Sequence, residues 1–258
     1  MMQARAILLD KDGVLVDFHR TWLPAIKKVA RAVAEGDEEL ALKLLVAVGY
    51  DEARDDFLPG SIWAGGTLEE LIDHWHGMLR GAPRARIATV VHDILIATEP
   101  QPAIPLPRLR ALLAQARARD VKVAIVTNDV TRSTERTAAL FGIADVLDAI
   151  ICADQCARGK PHPDLVHEAE RRLGLAAADM AMVGDNAHDA LMARAAGCGL
   201  MVGVESGTSG RADLEPLCDI VLPHVGEALE WLLGARDARE RDTRAEKKAG
   251  DESSIAAS

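Results

Sequence analysis

Six short apolar runs, each bounded by a polar residue or a glycine, recur along this chain, and amphipathic segments separate the later ones. The runs fall at 5–9 (RAILL), 121–127 (VKVAIVT), 148–152 (DAIIC), 180–184 (MAMVG), 199–204 (GLMVGV) and 219–222 (DIVL). In 106–118, Leu106, Leu109, Leu112, Leu113 and Ala116 follow the spacing of one helix face, and 132–141, 163–173, 187–196 and 225–233 read as further helices. Strands that alternate with helices cannot pair through tight hairpins. Each returns through a helical crossover, which builds a parallel sheet covered on both faces.

Residues 20 to 99 interrupt this alternation. Trp22, Ile26, Val29 and Val33 form one helical stripe, and Asp37 can cap a second helix that ends near Gly49. Thr67-Leu68-Glu69-Glu70 is a capping box for a third, closed by Gly81. Pro83 precedes a fourth at 84–98, and no strand is expected in the block. The expected architecture is therefore α/β: a Rossmann-like parallel-sheet core from 1–19 and 100–234, with an all-α helical cap domain inserted at 20–99. The exit from the cap carries Pro100, Pro102, Pro105 and Pro107, a stiff connector suited to a hinged lid. Residues 235–258 hold one large apolar residue, Ile255, among charges and small residues, and read as a disordered tail.

With 49% hydrophobic residues the chain can bury a substantial core, although aromatics are only 3% and Ala, Leu and Val must fill it. The formal net charge of -10 argues against a nucleic-acid or membrane-surface partner, both of which need clustered positive charge. No stretch is long and apolar enough for a signal peptide or a membrane span. Cys152, Cys156, Cys198 and Cys218 do not form a disulfide framework, and a cytoplasmic location is expected. His74 and His76, two residues apart on one helix, do not share a face and give little support to a metal site.

Ligands of open parallel sheets bind beyond the carboxyl ends of the strands. The first run ends in Asp10 and Asp12, the second in Thr127, Asn128 and Asp129, and the fourth in Asp185 and Asn186 with Asp189 one turn on. Gly159-Lys160-Pro161 opens the helix at 163–173. Acids gathered at one edge repel each other unless a cation joins them, and an all-oxygen set suits Mg2+. Asp10 and Asp12 fall on the same side of the chain by strand alternation, whereas Lys11 points away from both and has no expected role.

"DKDGVLVD", "VTND", "GKPHPD" and "GDNAHD", in that order, resemble the four motifs of the haloacid dehalogenase-like superfamily, specifically its phosphoglycolate-phosphatase-like branch with a helical cap. The resemblance spans residues 5 to about 234. It implies a phosphatase that works through an aspartyl-phosphate. Asp10 would be the nucleophile, and Asp12 the acid that protonates the leaving oxygen and then the base that activates water. Thr127 and Asn128 would bind the phosphoryl group, with Lys160 offsetting its charge. Asp10, Asp185, the main-chain carbonyl of Asp12 and Asp189, directly or through water, would hold Mg2+.

An acid at Asp12 favours a phosphatase over a dehalogenase, which has no alkoxide to protonate. A phosphosugar mutase keeps the same acids, and a non-catalytic phosphate-binding regulator could share the fold, so both stay open. The expected substrate is a small phosphorylated metabolite resembling phosphoglycolate. In the cap, Arg20, Lys27 and Arg54 are candidates for a second anionic group, and loop 59–66 (PGSIWAGG) for reaching the core site.

Overall fold

A computed structural model describes residues 4–234; the expected tail at 235–258 lies outside the described residues. β1 (Ala6–Leu9) leads into α1 (Phe18–Val33) and α2 (Glu38–Ala47). A hairpin of β2 (Tyr50–Asp51) and β3 (Asp56–Phe57) follows, then α3 (Ile62–Gly65), α4 (Leu68–Met78) and α5 (Arg84–Ala97). Next come α6 (Leu106–Ala118), β4 (Lys122–Thr127), α7 (Thr131–Leu140), β5 (Ala149–Cys152) and α8 (Asp164–Leu173). The chain continues through β6 (Met180–Gly184), α9 (Ala187–Ala196), β7 (Leu200–Val204), α10 (Arg211–Leu214) and β8 (Ile220–Leu222), and 225–234 are helical.

Six strands form one parallel sheet in the order β5-β4-β1-β6-β7-β8. Alternation sorts its side chains. Ile7, Leu9, Val123 and Ile125 pack on one face with Leu109, Leu113 and Leu229, while Ala6, Leu8, Ala124 and Val126 face Leu165, Ala169 and Met192 on the other. Burial on both faces is why these strands read as continuous apolar runs. From β1 the chain moves to β4 and β5, then crosses back to β6 on the other side of β1. The sheet therefore reverses its winding between β1 and β6, and a crevice opens at that point, beyond the strand ends.

The segment between β1 and β4 has its own apolar centre, in which Ile26, Val29 and Val33 of α1 meet Leu44, Trp75, Ile87 and Val91. α1 spans both layers, since Phe18, Trp22 and Ala25 pack with the sheet. The Asp37 cap and the Thr67 capping box form as expected. The expectation of an all-α cap needs one correction. β2 and β3 pair in antiparallel fashion, with the rings of Tyr50 and Phe57 5.4 Å apart. Two-residue strands are too short to carry an alternation signal. Gly81 does not close α4, which ends three residues earlier at Met78. The entry and exit segments run side by side: Asp17 N–H donates to Gln101 O at 2.8 Å and Ala103 N–H to Leu15 O at 2.9 Å.

Candidate active site

The adjacent ends of β1 and β6 bring Asp10 and Asp185 together. Asp10 N–H still donates to Val183 O at 2.9 Å, so the acid is fixed by the last rung of the ladder. Gly13 then turns the chain with φ of +81°; a Cβ there would lie 2.4 Å from the Asp185 carboxyl carbon. Only glycine satisfies both the dihedral and the close approach. Asn186 caps α9, and Asp189, in the third helical position, accepts from Asn186 N–H at 3.2 Å. Asp185 Oδ2 accepts from Thr208 N–H at 2.9 Å and from its hydroxyl at 3.3 Å.

Lys160 reaches in from the loop before α8. Its ammonium lies 2.6 Å from Asp10 Oδ1 and 2.5 Å from Asp189 Oδ1, and all three groups are buried. Asp10, Asp185 and Asp189 each offer an oxygen within 4.8 Å of the others. Burial pushes the Asp10 carboxyl up to about 7, against the pull of Lys160. Burial, then Asp189 and Asp10, holds Asp185 well above the usual carboxylate range. Burial also works against the Lys160 charge, but Asp10 and Asp189 outweigh it and keep the amine protonated. Of these three buried acids, Asp10 and Asp189 share one ammonium. This oxygen-only, negatively unbalanced donor set fits a hard divalent cation.

Thr127, at the end of β4, is buried beside this cluster, and its Oγ1 accepts from Asp129 N–H at 3.1 Å. The Asn128 amide is engaged with backbone: its Oδ1 accepts from Lys160 N–H at 2.7 Å, and its Nδ2 donates to Lys160 O at 3.2 Å and to Gly65 O at 3.0 Å. Asn128 thus ties the lysine loop to the cap. Gly65 belongs to loop 59–66, which does reach the core; His188 Nδ1 is a further 2.8 Å from Gly65 O. Asp10, Asp12, Thr127, Asn128, Lys160 and Asp189 line a cavity of about 660 Å3 between sheet and cap, and Asp185 lies buried against Asp10 and Asp189.

Several participants escaped the sequence reading. Lys11 does not point away from both acids: its buried ammonium contacts Asp12 Oδ2 at 2.8 Å and Asp129 at 2.9 Å. The chain leaves strand geometry after Asp10, with Leu15 and Val16 N–H both donating to Lys11 O, so alternation no longer applies. Trp22 Nε1 donates to Asp12 Oδ1 at 2.5 Å. Thr208 lies in the loop after β7, where only the turn-rich string ESGTSG hinted at a role. The cap cations expected to meet a second anion lie elsewhere: Lys27 pairs with Asp55, Arg54 lies 4.0 Å from Asp51, and Arg20 is exposed outside the cavity. Arg132 and Arg136 of α7 line the cavity instead.

Comparison with known proteins agrees with this geometry. The profile of the haloacid dehalogenase-like hydrolases matches residues 4–197. A phosphoglycolate phosphatase of Yersinia pseudotuberculosis serotype I (strain IP32953) is 32% identical over 87% of this chain and 91% of its own length. The crystal structure of CbbY from Rhodobacter sphaeroides in complex with phosphate superposes with a TM-score of 0.63 at 22% identity, covering 88% of this chain and 96% of that one. A predicted phosphoglycolate phosphatase from Haemophilus somnus 129PT gives 0.66 at 18% identity, covering 89% and 98%. A parallel sheet that reverses at β1 and β6, four ordered motifs converging on that reversal, and a profile match over three quarters of the sequence lead to one assignment: the chain belongs to the haloacid dehalogenase-like hydrolase family.

Proposed function

We propose that the protein is a Mg2+-dependent phosphatase that hydrolyses a small phosphorylated metabolite through an aspartyl-phosphate on Asp10. The observation that carries this reading is the buried Lys160 ammonium bridging Asp10 and Asp189 beside Asp185. A carboxylate held against a cation at the floor of a cavity can attack phosphorus while the new charge on the phosphoryl oxygens is offset. The similarity to a phosphoglycolate phosphatase supports the same reaction class.

In the first half-reaction an Asp10 oxygen bonds to phosphorus. The ester oxygen departs with its electron pair and takes a proton from Asp12. In the second, Asp12 removes a proton from the water that attacks phosphorus, and inorganic phosphate and the free Asp10 carboxylate result. Thr127 donates its hydroxyl to a phosphoryl oxygen, and Lys160 neutralises the shared charge. Asn128, bonded to both Lys160 backbone groups, positions the lysine loop beside the phosphoryl group that it and Thr127 bind. Asp10, Asp185, the Asp12 carbonyl and Asp189 would hold Mg2+, which supplies positive charge to the phosphoryl oxygens when bound. The four thiols are unpaired, which fits a reducing cytoplasmic setting.

The test is turnover of a panel of phosphomonoesters with Mg2+ present. The wild-type protein should release phosphate, and Asp10→Asn should lower kcat by at least about 1000-fold, since covalent catalysis is lost. Comparable activity in Asp10→Asn would reject the nucleophile.

A further inference from the structure

Arg132 and Arg136 lie one turn apart on α7 and line the same cavity as Asp10 and Lys160. Among the described residues Arg132 makes no ion pair or hydrogen bond, and Arg136 donates only to Thr98 O, at 3.1 Å. Several other guanidinium groups close on carboxylates, as in Arg84 with Asp73, Arg110 with Asp145, Arg158 with Asp164 and Arg194 with Asp219. Arg132 and Arg136 thus bring two guanidinium groups without a carboxylate partner among the described residues to one cavity wall. Ser133 and Thr137 complete a polar stripe on this face of α7. The cap contributes an apolar wall that includes Ile62, Trp63, Leu68, Leu71, Leu95 and Ile96.

About 660 Å3 accommodates a ligand of drug size. A two-carbon phosphoester held at Lys160 would occupy a small part of it and leave the apolar wall in contact with water. We propose that the substrate is a phosphomonoester with an apolar, ring-bearing body against the cap wall and a second anionic group held by Arg132 and Arg136. The guanidinium fork matches a carboxylate or a second phosphate equally. The proposal rests on the phosphatase reading only for where the scissile phosphate sits.

Calorimetry in Mg2+ with non-hydrolysable probes tests it: benzylphosphonate, its para-carboxylate and para-phosphonate derivatives, and phosphonoacetate. At least one doubly anionic benzyl probe should bind about tenfold tighter than benzylphosphonate, ~1.4 kcal/mol, and tighter than phosphonoacetate; which of the two does so identifies the second anion. Arg132→Gln should remove most of that advantage and Arg132→Gln/Arg136→Gln all of it. Because Arg132 bonds to nothing in the fold, the single variant separates loss of the anion contact from loss of structure. Phosphonoacetate binding tightest, or an advantage that persists in the double variant, overturns the proposal. Phosphate release from the matching esters reads the phosphatase assignment separately: the predicted binding pattern without turnover sinks hydrolysis alone, and turnover without that pattern sinks this proposal alone.

Discussion

The Lys11 ammonium lies 2.8 Å from Asp12 Oδ2 although the lysine side chain is wholly excluded from solvent. Asp129 sits on its other side at 2.9 Å, and the Trp22 ring lies 5.1 Å away. Burial alone would lower the pKa of this lysine, but Asp12 and Asp129 outweigh it and raise it. With Trp22 Nε1 bonded to Asp12 Oδ1, both oxygens of the proposed acid–base are held in one orientation.

Lys11→Met should therefore do two things. Removing one partner of a buried ion pair costs about 3–5 kcal/mol, read as a lower urea midpoint. General acid catalysis contributes ~10²–10⁴-fold, so single-turnover formation of the phosphoenzyme should slow by about 100-fold with an alkyl phosphate. With nitrophenyl phosphate, whose leaving group needs no proton, it should slow far less. Equal slowing of the two esters would show that Lys11 does not act through Asp12.

Gly65 joins cap to core by a contact so close that any side chain there would have to displace His188. A Cβ there would lie 2.3 Å from His188 Nδ1, and Gly65 O accepts from Asn128, which in turn holds Lys160. Gly65→Val should push the cap loop off its seat and lower kcat/KM by more than about tenfold, as small misplacements around reacting groups do. Melting should shift by only a few degrees, since Gly65 lies outside the apolar clusters. A fully active Gly65→Val would exclude this contact from the working state.

Glu168 offers a pH test away from the site. Hydrogen bonds from Arg171 and Arg172 draw its carboxyl down to about 2. A carboxyl depressed in the folded state stabilises the protein above its unfolded value of about 4.3, and that contribution fades as pH falls towards 2. Solvent screening reduces it to about 1 kcal/mol. Glu168→Gln should lower stability by that amount at pH 7 and by progressively less at pH 4.5 and 3.5, in urea unfolding at each pH. A constant difference across the range would assign the effect to packing.

The parallel sheet was legible because strands buried on both faces leave uninterrupted apolar runs, and Asp10 and Asp185 at strand ends and Lys160 in the loop before α8 because their motifs occur in a known order. Lys11 was not legible, since alternation fails once the chain leaves β1. Nor were Arg132 and Arg136, which on the sequence are ordinary polar residues of an amphipathic helix. Their position facing the cap depends on tertiary packing alone. The β2–β3 hairpin fell below the length at which strand periodicity can be detected.

The acid cluster yields a pair of opposite effects. Burial and the neighbouring Asp189 and Asp10 disfavour the charge on Asp185, whose carboxylate accepts from Thr208 while Lys160 is already paired with the two other acids. Without a cation, exchanging that charge for an amide relieves repulsion, and the Thr208 N–H still meets an oxygen. Asp185→Asn should therefore melt higher than the wild-type protein in chelator. With Mg2+ at about 100 times its Kd, ligand linkage stabilises the wild-type protein by about 2.7 kcal/mol, or roughly 5–10 °C for a chain of this size. The variant, lacking a carboxylate ligand, should show almost none of that rise, so the two melting curves exchange order on addition of the ion. A Mg2+-induced rise of equal size in both proteins would place the cation elsewhere.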